Sequence, residues 1–192
     1  MRETRVILGI SGASGVPIAV DILKCLTWVD NVETHLVITE GAVKTISQES
    51  SMPLREMCQL ADVVYDNKDT GAAIASGTFK TAGMMIVPCS MKTLAGIACG
   101  YSETLLLRAA DVCLKEQRRV VLAARESPLS PVHLKNMLAL AQMGAVILPP
   151  VLTYYNHPAS VADMTRHIAG KILDLFGIEL PGFCRWPSGA SR

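Results

Sequence analysis

Five short runs dominated by apolar residues recur along this chain: "RVILGI" from Arg5, "THLVIT" from Thr34, "MMIVP" from Met84, "RVVLAA" from Arg119 and "AVILPP" from Ala145. Segments with helical spacing of apolar residues lie between them. A strand that is apolar at successive positions points side chains to both faces of its sheet, so both faces must be covered. Parallel neighbours also need a crossover, and an intervening helix supplies it. The alternation therefore predicts an α/β fold, with an open parallel sheet between two layers of helices. At 192 residues, with no repeat, linker or low-complexity segment, the whole of 1–192 reads as a single domain.

The helices announce themselves through spacing and caps. From Ser14 a helix places Ile18, Ile22 and Leu26 at i, i+4 and i+8, with Pro17 tolerated in its first turn. A second helix carries Lys44 and Glu49. From Met52 to Thr81 the pattern is less regular, with room for a short strand "VVY" and a loop of small and polar residues. Ser90 is placed to cap a helix from about Met91, and Ser102 to cap a longer one through about Gln117. Ser130 with Pro131 opens the next, which stops at Gly144. Ser160 and Asp163 form a capping box for the last, which runs to about Phe176.

Composition narrows the class. Half of the residues are hydrophobic and the mean hydropathy is +0.33. No run approaches the roughly 18 apolar residues of a spanning helix, so no membrane segment is expected and subunit association is the better use for the surplus. A net charge of +1 argues against a nucleic-acid partner. The charged start "MRETRVILGISG" lacks the form of a signal peptide. The six cysteines show no C-x-x-C pair and no metal-type grouping with the four histidines. Reduced thiols in the cytoplasm and no metal are the expectation.

In open parallel sheets, ligands bind beyond the carboxyl ends of the strands. Five loops follow: Ser11–Gly15, Thr39–Glu40, Pro88–Thr93, Arg125–Ser130 and Pro149–His157. In "GISGASG" the glycines fall three apart, unlike the G-x-G-x-x-G of dinucleotide enzymes, and Thr39 stands where such enzymes want an acid. That turn either receives an anion at a helix N-terminus or simply turns tightly. "PCSMKT" repeats the arrangement with Lys92, and Cys89 reads as a small buried residue at a strand end. Arg108 and Lys115, seven apart, share a helix face that either binds phosphate or is solvated. Arg125 and Glu126 at a strand end point to a site; His157 is equally a turn residue, and Lys171 alone reads as solvated.

Taken together, the segments "GISGASG", "PCSMKTLAGIACG", "LLLRAADVCLKEQRRVVLAARESPLSPVHLKNML", "GAVILPP", "YYNHP" and "CRW" resemble the flavin prenyltransferase family (UbiX, formerly described as 3-octaprenyl-4-hydroxybenzoate or phenylacrylic acid decarboxylases). The resemblance runs from about Val6 to Trp186. It implies a Rossmann-like (flavodoxin-like) three-layer sandwich with a mostly parallel central sheet, assembled as a homododecamer with sites between subunits. It implies prenyl transfer, without a metal, from dimethylallyl phosphate to N5 and C6 of reduced FMN. The product, prenylated FMN, would serve a UbiD-type aromatic acid decarboxylase.

By the same resemblance Gly12, Ala13, Ser14, Thr39, Ser90, Met91, Lys92, Thr93 and Arg125 meet the FMN. Tyr155 and Lys171 hold the dimethylallyl phosphate, and Arg108 and Lys115 match further phosphate positions, as does Glu126. Ser14 and Glu49 match the pair that handles the proton, so Ser14, Glu49 and Glu126 are the expected catalytic residues. Lysine at 171 replaces the arginine of some family members, keeping the charge without the bidentate fork. Three alternatives remain at this stage: a non-catalytic FMN-binding subunit of a hydroxyaryl acid decarboxylase, an FMN-dependent decarboxylase in its own right, and an oxidative decarboxylase of a cysteine-type thiol. The last relies on a histidine near the first helix, and "SGASGVPIAVDILKCL" has none.

Overall fold

The computed structural model describes residues 4–186; the ends of the expected domain, 1–3 and 187–192, lie outside the described residues. Six strands form the sheet: β1 Thr4–Ile10, β2 Val32–Ile38, β3 Val63–Tyr65, β4 Gly83–Cys89, β5 Arg119–Ala124 and β6 Val146–Ile147. They lie in the order β3-β2-β1-β4-β5-β6 and every neighbouring pair is parallel. The three-residue β3 is an edge addition. Without it the order is the flavodoxin-like winding, and the direction of winding reverses between β1 and β4. The carboxyl ends of β1 and β4 therefore open a crevice, where a candidate site is to be sought.

The two apolar faces of the sheet account for the two helical layers. Val6, Leu8 and Ile10 of β1 join one buried cluster, while Ile7 between them joins the other. The first cluster takes in α1 (Val16–Leu26), α2 (Glu40–Glu49), α3 (Leu54–Gln59) and α7 (Val161–Asp174). The second takes in α4 (Met91–Ala98), α5 (Leu105–Lys115) and α6 (Pro131–Gln142). All seven residues of β4 are buried, as the central position demands.

Four expectations need correction. The first helix begins at Val16, because Gly15 at φ +121° breaks the helical path and Ser14 lies outside it. The stretch read as irregular contains α3, which is too short for its periodicity to show. The run "AVILPP" yields only the two-residue β6, since Pro149 and Pro150 have no N–H for a ladder. Ser102 does not cap α5; its N-cap is Thr104, which makes no capping bond. Instead Asn67 accepts from the Leu105 amide through its carbonyl at 2.8 Å and from the Leu106 amide through its side chain at 3.0 Å.

The capping expectations at Ser90, Ser130 and Ser160 are met: each side chain accepts from the backbone amide three residues on. On α6 only Met137 and Leu140 are buried, while Val132, Leu134 and Leu138 are 64%, 53% and 60% exposed. Leu134 and Leu138, one turn apart, thus leave an apolar stripe of α6 in water, with Val132 exposed separately in the first turn, in line with the excess hydrophobicity of the sequence.

Candidate active site

Two strand ends are clasped at the crevice. Ser11, fully buried, donates its hydroxyl to the Pro88 carbonyl at 3.0 Å and accepts from the Ser90 amide at 2.8 Å. Its backbone amide also reaches the Pro88 carbonyl, at 3.2 Å. This hydroxyl is spent on structure: it locks the end of β1 to the entry of α4 and fixes one loop relative to the next.

The next glycine makes a close approach possible. A Cβ on Gly12 would stand 2.9–3.2 Å from the backbone of Gly41 in α2, inside contact distance. The first loop therefore lies against the N-terminus of α2. There Thr39 caps the helix, its oxygen accepting from the Ala42 amide at 3.2 Å and its own hydroxyl proton remaining for another partner.

The N-terminus of α1 does hold an anion, and it comes from the protein itself. Glu49, at the far end of α2, accepts from the Gly15 amide at 2.8 Å and the Val16 amide at 3.0 Å. Ser14 bonds to the same carboxylate, and the Arg125 charge acts on it. Burial works to raise the pKa of Glu49, but the Ser14 hydroxyl, the two amides and Arg125 outweigh it and hold the carboxyl below its ordinary value. The expected turn-or-anion ambiguity of "GISGASG" resolves into both. The glycine turn presents amides, and a carboxylate 34 residues away fills them.

At α4 the geometry stays open. Ser90 accepts from the Thr93 amide at 3.3 Å and donates to the Thr93 hydroxyl at 3.1 Å. The amides of Met91 and Lys92, in the first turn, have no acceptor within their helix. The Lys92 side chain is exposed beside them and Met91 is half-buried. Arg125 follows β5 directly, its amide donating to the Cys89 carbonyl at 3.0 Å, and its guanidinium lies exposed towards Glu49. Cys89 is wholly buried, and burial pushes its thiol up to about 12, which suits a packing role and not a nucleophile.

The remaining expected residues fall into separate places. Glu126 is exposed and folds back to accept from the Ser127 amide at 3.0 Å. Arg108 pairs with Asp111 at 2.6 Å on α5. Lys115, one face and two turns on, pairs with Glu116 at the end of that helix. Since α5 runs against the strands and Lys115 precedes β5 by four residues, Lys115 sits at the amino edge of the sheet. That is roughly 20 Å from Glu49 along a six-residue strand. Tyr155, in the loop before α7, and Lys171, on that helix, lie to either side of His167. Tyr155 lies within 3.2 Å of His167 Nε2, and the Lys171 charge lowers the His167 pKa, though less than burial does. Lys171 itself lies 3.9 Å from Asp174.

Two cavities lie away from the crevice. One of about 220 Å³ lies between Asn156–Ala159, α7 and Gly182–Cys184, and an open one of about 820 Å³ is lined by Arg118, Arg119 and Phe176 at the amino edge. Among the described residues no group of three or more His, Cys, Asp or Glu is placed to hold a metal ion, and no helix is long and apolar enough to cross a membrane. Sequence reasoning passed over His167 and the bridging role of Ser11. The only signal for His167 was its i, i+4 spacing to Lys171.

Residues 1–174 match the Flavoprotein family. A probable UbiX-like flavin prenyltransferase of Sedimentibacter hydroxybenzoicus is 51% identical over 182 residues, covering 95% of this chain and 96% of its own length. Among solved structures, a dodecameric FMN-dependent Ubix-like decarboxylase from Escherichia coli O157:H7 is 48% identical with a TM-score of 0.94, covering 96% of this chain and all of that one. AnUbiX (PadA1), in complex with FMN and dimethylallyl pyrophosphate, is 43% identical with a TM-score of 0.95, over 98% of this chain and 100% of its own.

Proposed function

The chain belongs to the family of UbiX-like flavin prenyltransferases, and we propose that it joins the dimethylallyl group of dimethylallyl phosphate to N5 and C6 of reduced FMN. The prenylated FMN so made serves a UbiD-type aromatic acid decarboxylase. The observation that carries this reading is the Ser14–Glu49–Arg125 cluster at the switch point, where a carboxylate is held ionised beside a cation.

The residues at the crevice fit FMN. The free first-turn amides of Met91 and Lys92, with Lys92 and Arg125, suit its phosphate. Gly12 and Ala13 present a surface without bulky side chains, and the Thr39 hydroxyl and the Ser90–Thr93 turn complete the polar rim. When bound in reduced form, FMN supplies the nucleophilic nitrogen and carbon that accept the allyl group.

The protein's own task is electrostatic. Breaking the allylic C–O bond loads negative charge onto a departing phosphate, and fixed cations stabilise that charge as it grows. Arg108, Lys115 and Lys171, with the Tyr155 hydroxyl, are the groups for this. In one protomer Lys115 stands at the opposite edge of the sheet from the crevice, so a neighbouring copy must bring this cation to it. A homododecamer with sites between subunits meets that need, and the exposed apolar stripe of α6 supports association.

The proton released on ring closure has a direction. Ser14 donates its hydroxyl to Glu49, so it can pass a proton to that carboxylate and take one in its place. Glu49 sits below its ordinary value, whereas the phosphate freed by C–O cleavage carries one more negative charge than the ester and is more basic than the ester, whose second pKa is near about 6. Glu49 and Ser14 therefore orient and relay, and the leaving phosphate is the final acceptor. Glu126, next to Arg125 in the same loop, is assigned to the phosphate site, as the family resemblance implies. All six cysteines are free thiols, which supports a reducing cytoplasmic setting.

The reading is tested by following inorganic phosphate released from dimethylallyl phosphate, with the pyrophosphate donor as a parallel arm. Release must require reduced FMN and fall at least a hundredfold in Arg125→Ala. Release that proceeds equally with oxidised FMN, or no release from either donor, refutes it.

A further inference from the structure

Resting on the reading that Tyr155 and Lys171 hold the donor phosphate, we infer that His167 is a positioning residue for that phosphate: its Nε2–H donates to Tyr155 Oη and leaves the tyrosine proton free for the anion. Tyr155 Oη lies 3.2 Å from His167 Nε2. A phenol has one proton. If Tyr155 donated it to the imidazole, only lone pairs would face an incoming phosphate, and an anion would be repelled. With the proton on Nε2, the bond runs the other way and the phenol O–H points outward.

The surroundings fix the two rings against each other. His167 is 8% exposed, its ring edge-on to Tyr155 at 5.6 Å and tilted against Phe183 at 5.0 Å. Phe183 can settle there only because position 170 lacks a side chain: a Cβ on Gly170 would stand 2.3 Å from its ring. Trp186 also packs edge-to-face with Tyr155, at 5.1 Å between ring centres. Lys171 lies one turn after His167 on α7, so the ammonium and the imidazole that meets the Tyr155 hydroxyl share one side of the helix. Burial first, and the Lys171 charge second, keep the imidazole in its neutral, single-proton form.

The test is a double-mutant cycle read on KM for dimethylallyl phosphate. His167→Leu should raise KM by roughly 3–10-fold, the worth of one neutral hydrogen bond, with kcat and FMN affinity changed less than about twofold. His167→Gln, whose amide also donates, should restore KM. In a Tyr155→Phe background His167→Leu should add nothing. His167→Phe gives the same reading should the leucine variant not fold. A wild-type KM in His167→Leu while Tyr155→Phe raises it, or full additivity of the two, overturns the inference alone. An unchanged KM in Tyr155→Phe refutes the assignment of Tyr155 itself and takes the inference with it.

Discussion

Replacing Glu49 by glutamine removes one charge and leaves the shape of the side chain. In the structure that carboxylate satisfies the Gly15 and Val16 amides at 2.8 and 3.0 Å, bonds Ser14 and faces Arg125. The amide can offer one oxygen to these donors, but its NH₂ then confronts a donor in place of a second acceptor. Losing a charge at a helix N-terminus costs about 0.3–1 kcal/mol, and an unsatisfied donor about 1 kcal/mol at a half-exposed site, where water screens and substitutes. The expected loss is roughly 1.5 kcal/mol, a fall in Tm of about 3–6 °C for a domain of this size. The pH dependence gives a sharper check. Glu49 has a folded pKa below 4.5, its ordinary value, so its contribution is complete above about 4.5 and disappears as pH falls through the folded pKa. The Tm gap between wild type and Glu49→Gln should be constant from pH 8 to 6 and shrink below 4.5. Differential scanning calorimetry at fixed protein concentration measures it. A gap that is absent at neutral pH, or that persists unchanged into acid, refutes the account of Glu49 as an ionised helix cap.

Other substitutions probe the crevice and the assembly. Gly12→Ala puts a Cβ 2.9 Å from the Gly41 backbone and should separate the first loop from α2, costing about 1–3 kcal/mol and at least tenfold in FMN affinity by fluorescence titration. Ser11→Ala strands the Ser90 amide and should cost about 1–3 kcal/mol in thermal melts, with weaker FMN binding as the entry to α4 loosens. Glu49→Gln and Lys115→Ala should each be inactive alone yet recover activity when co-expressed, because a mixed oligomer contains sites that draw an intact Glu49 from one copy and an intact Lys115 from another; failure of mixed oligomers to recover argues for a site within one protomer.

The parts of the fold legible in the sequence are those written in local spacing. The apolar runs gave the central strands, and Ser90, Ser130 and Ser160 marked helix starts because each cap is bonded three residues away. What depended on distant chain was not legible. Asn67 caps α5 from 39 residues away, so Ser102 looked like the better cap. β6 was overestimated because an apolar run says nothing about which residues keep a ladder partner before two prolines. Within the site, Glu49 has no local mark: in α2 it is one more polar residue, and only the fold carries it back to Gly15. Its role entered through family resemblance. Arg108 and Lys115 were rightly placed on one helix face, but no spacing could say that α5 delivers Lys115 to the far edge of the sheet.

The claim that matters most is chemical, and the mass of the flavin decides it. Purified protein is incubated without oxygen with reduced FMN and dimethylallyl phosphate, and the released flavin is weighed by mass spectrometry. A flavin heavier by one five-carbon prenyl unit, absent with Glu49→Gln, is the predicted result. Unmodified FMN, bound tightly and offered both the phosphate and the pyrophosphate donor, would contradict the account and leave a flavin-binding subunit in its place.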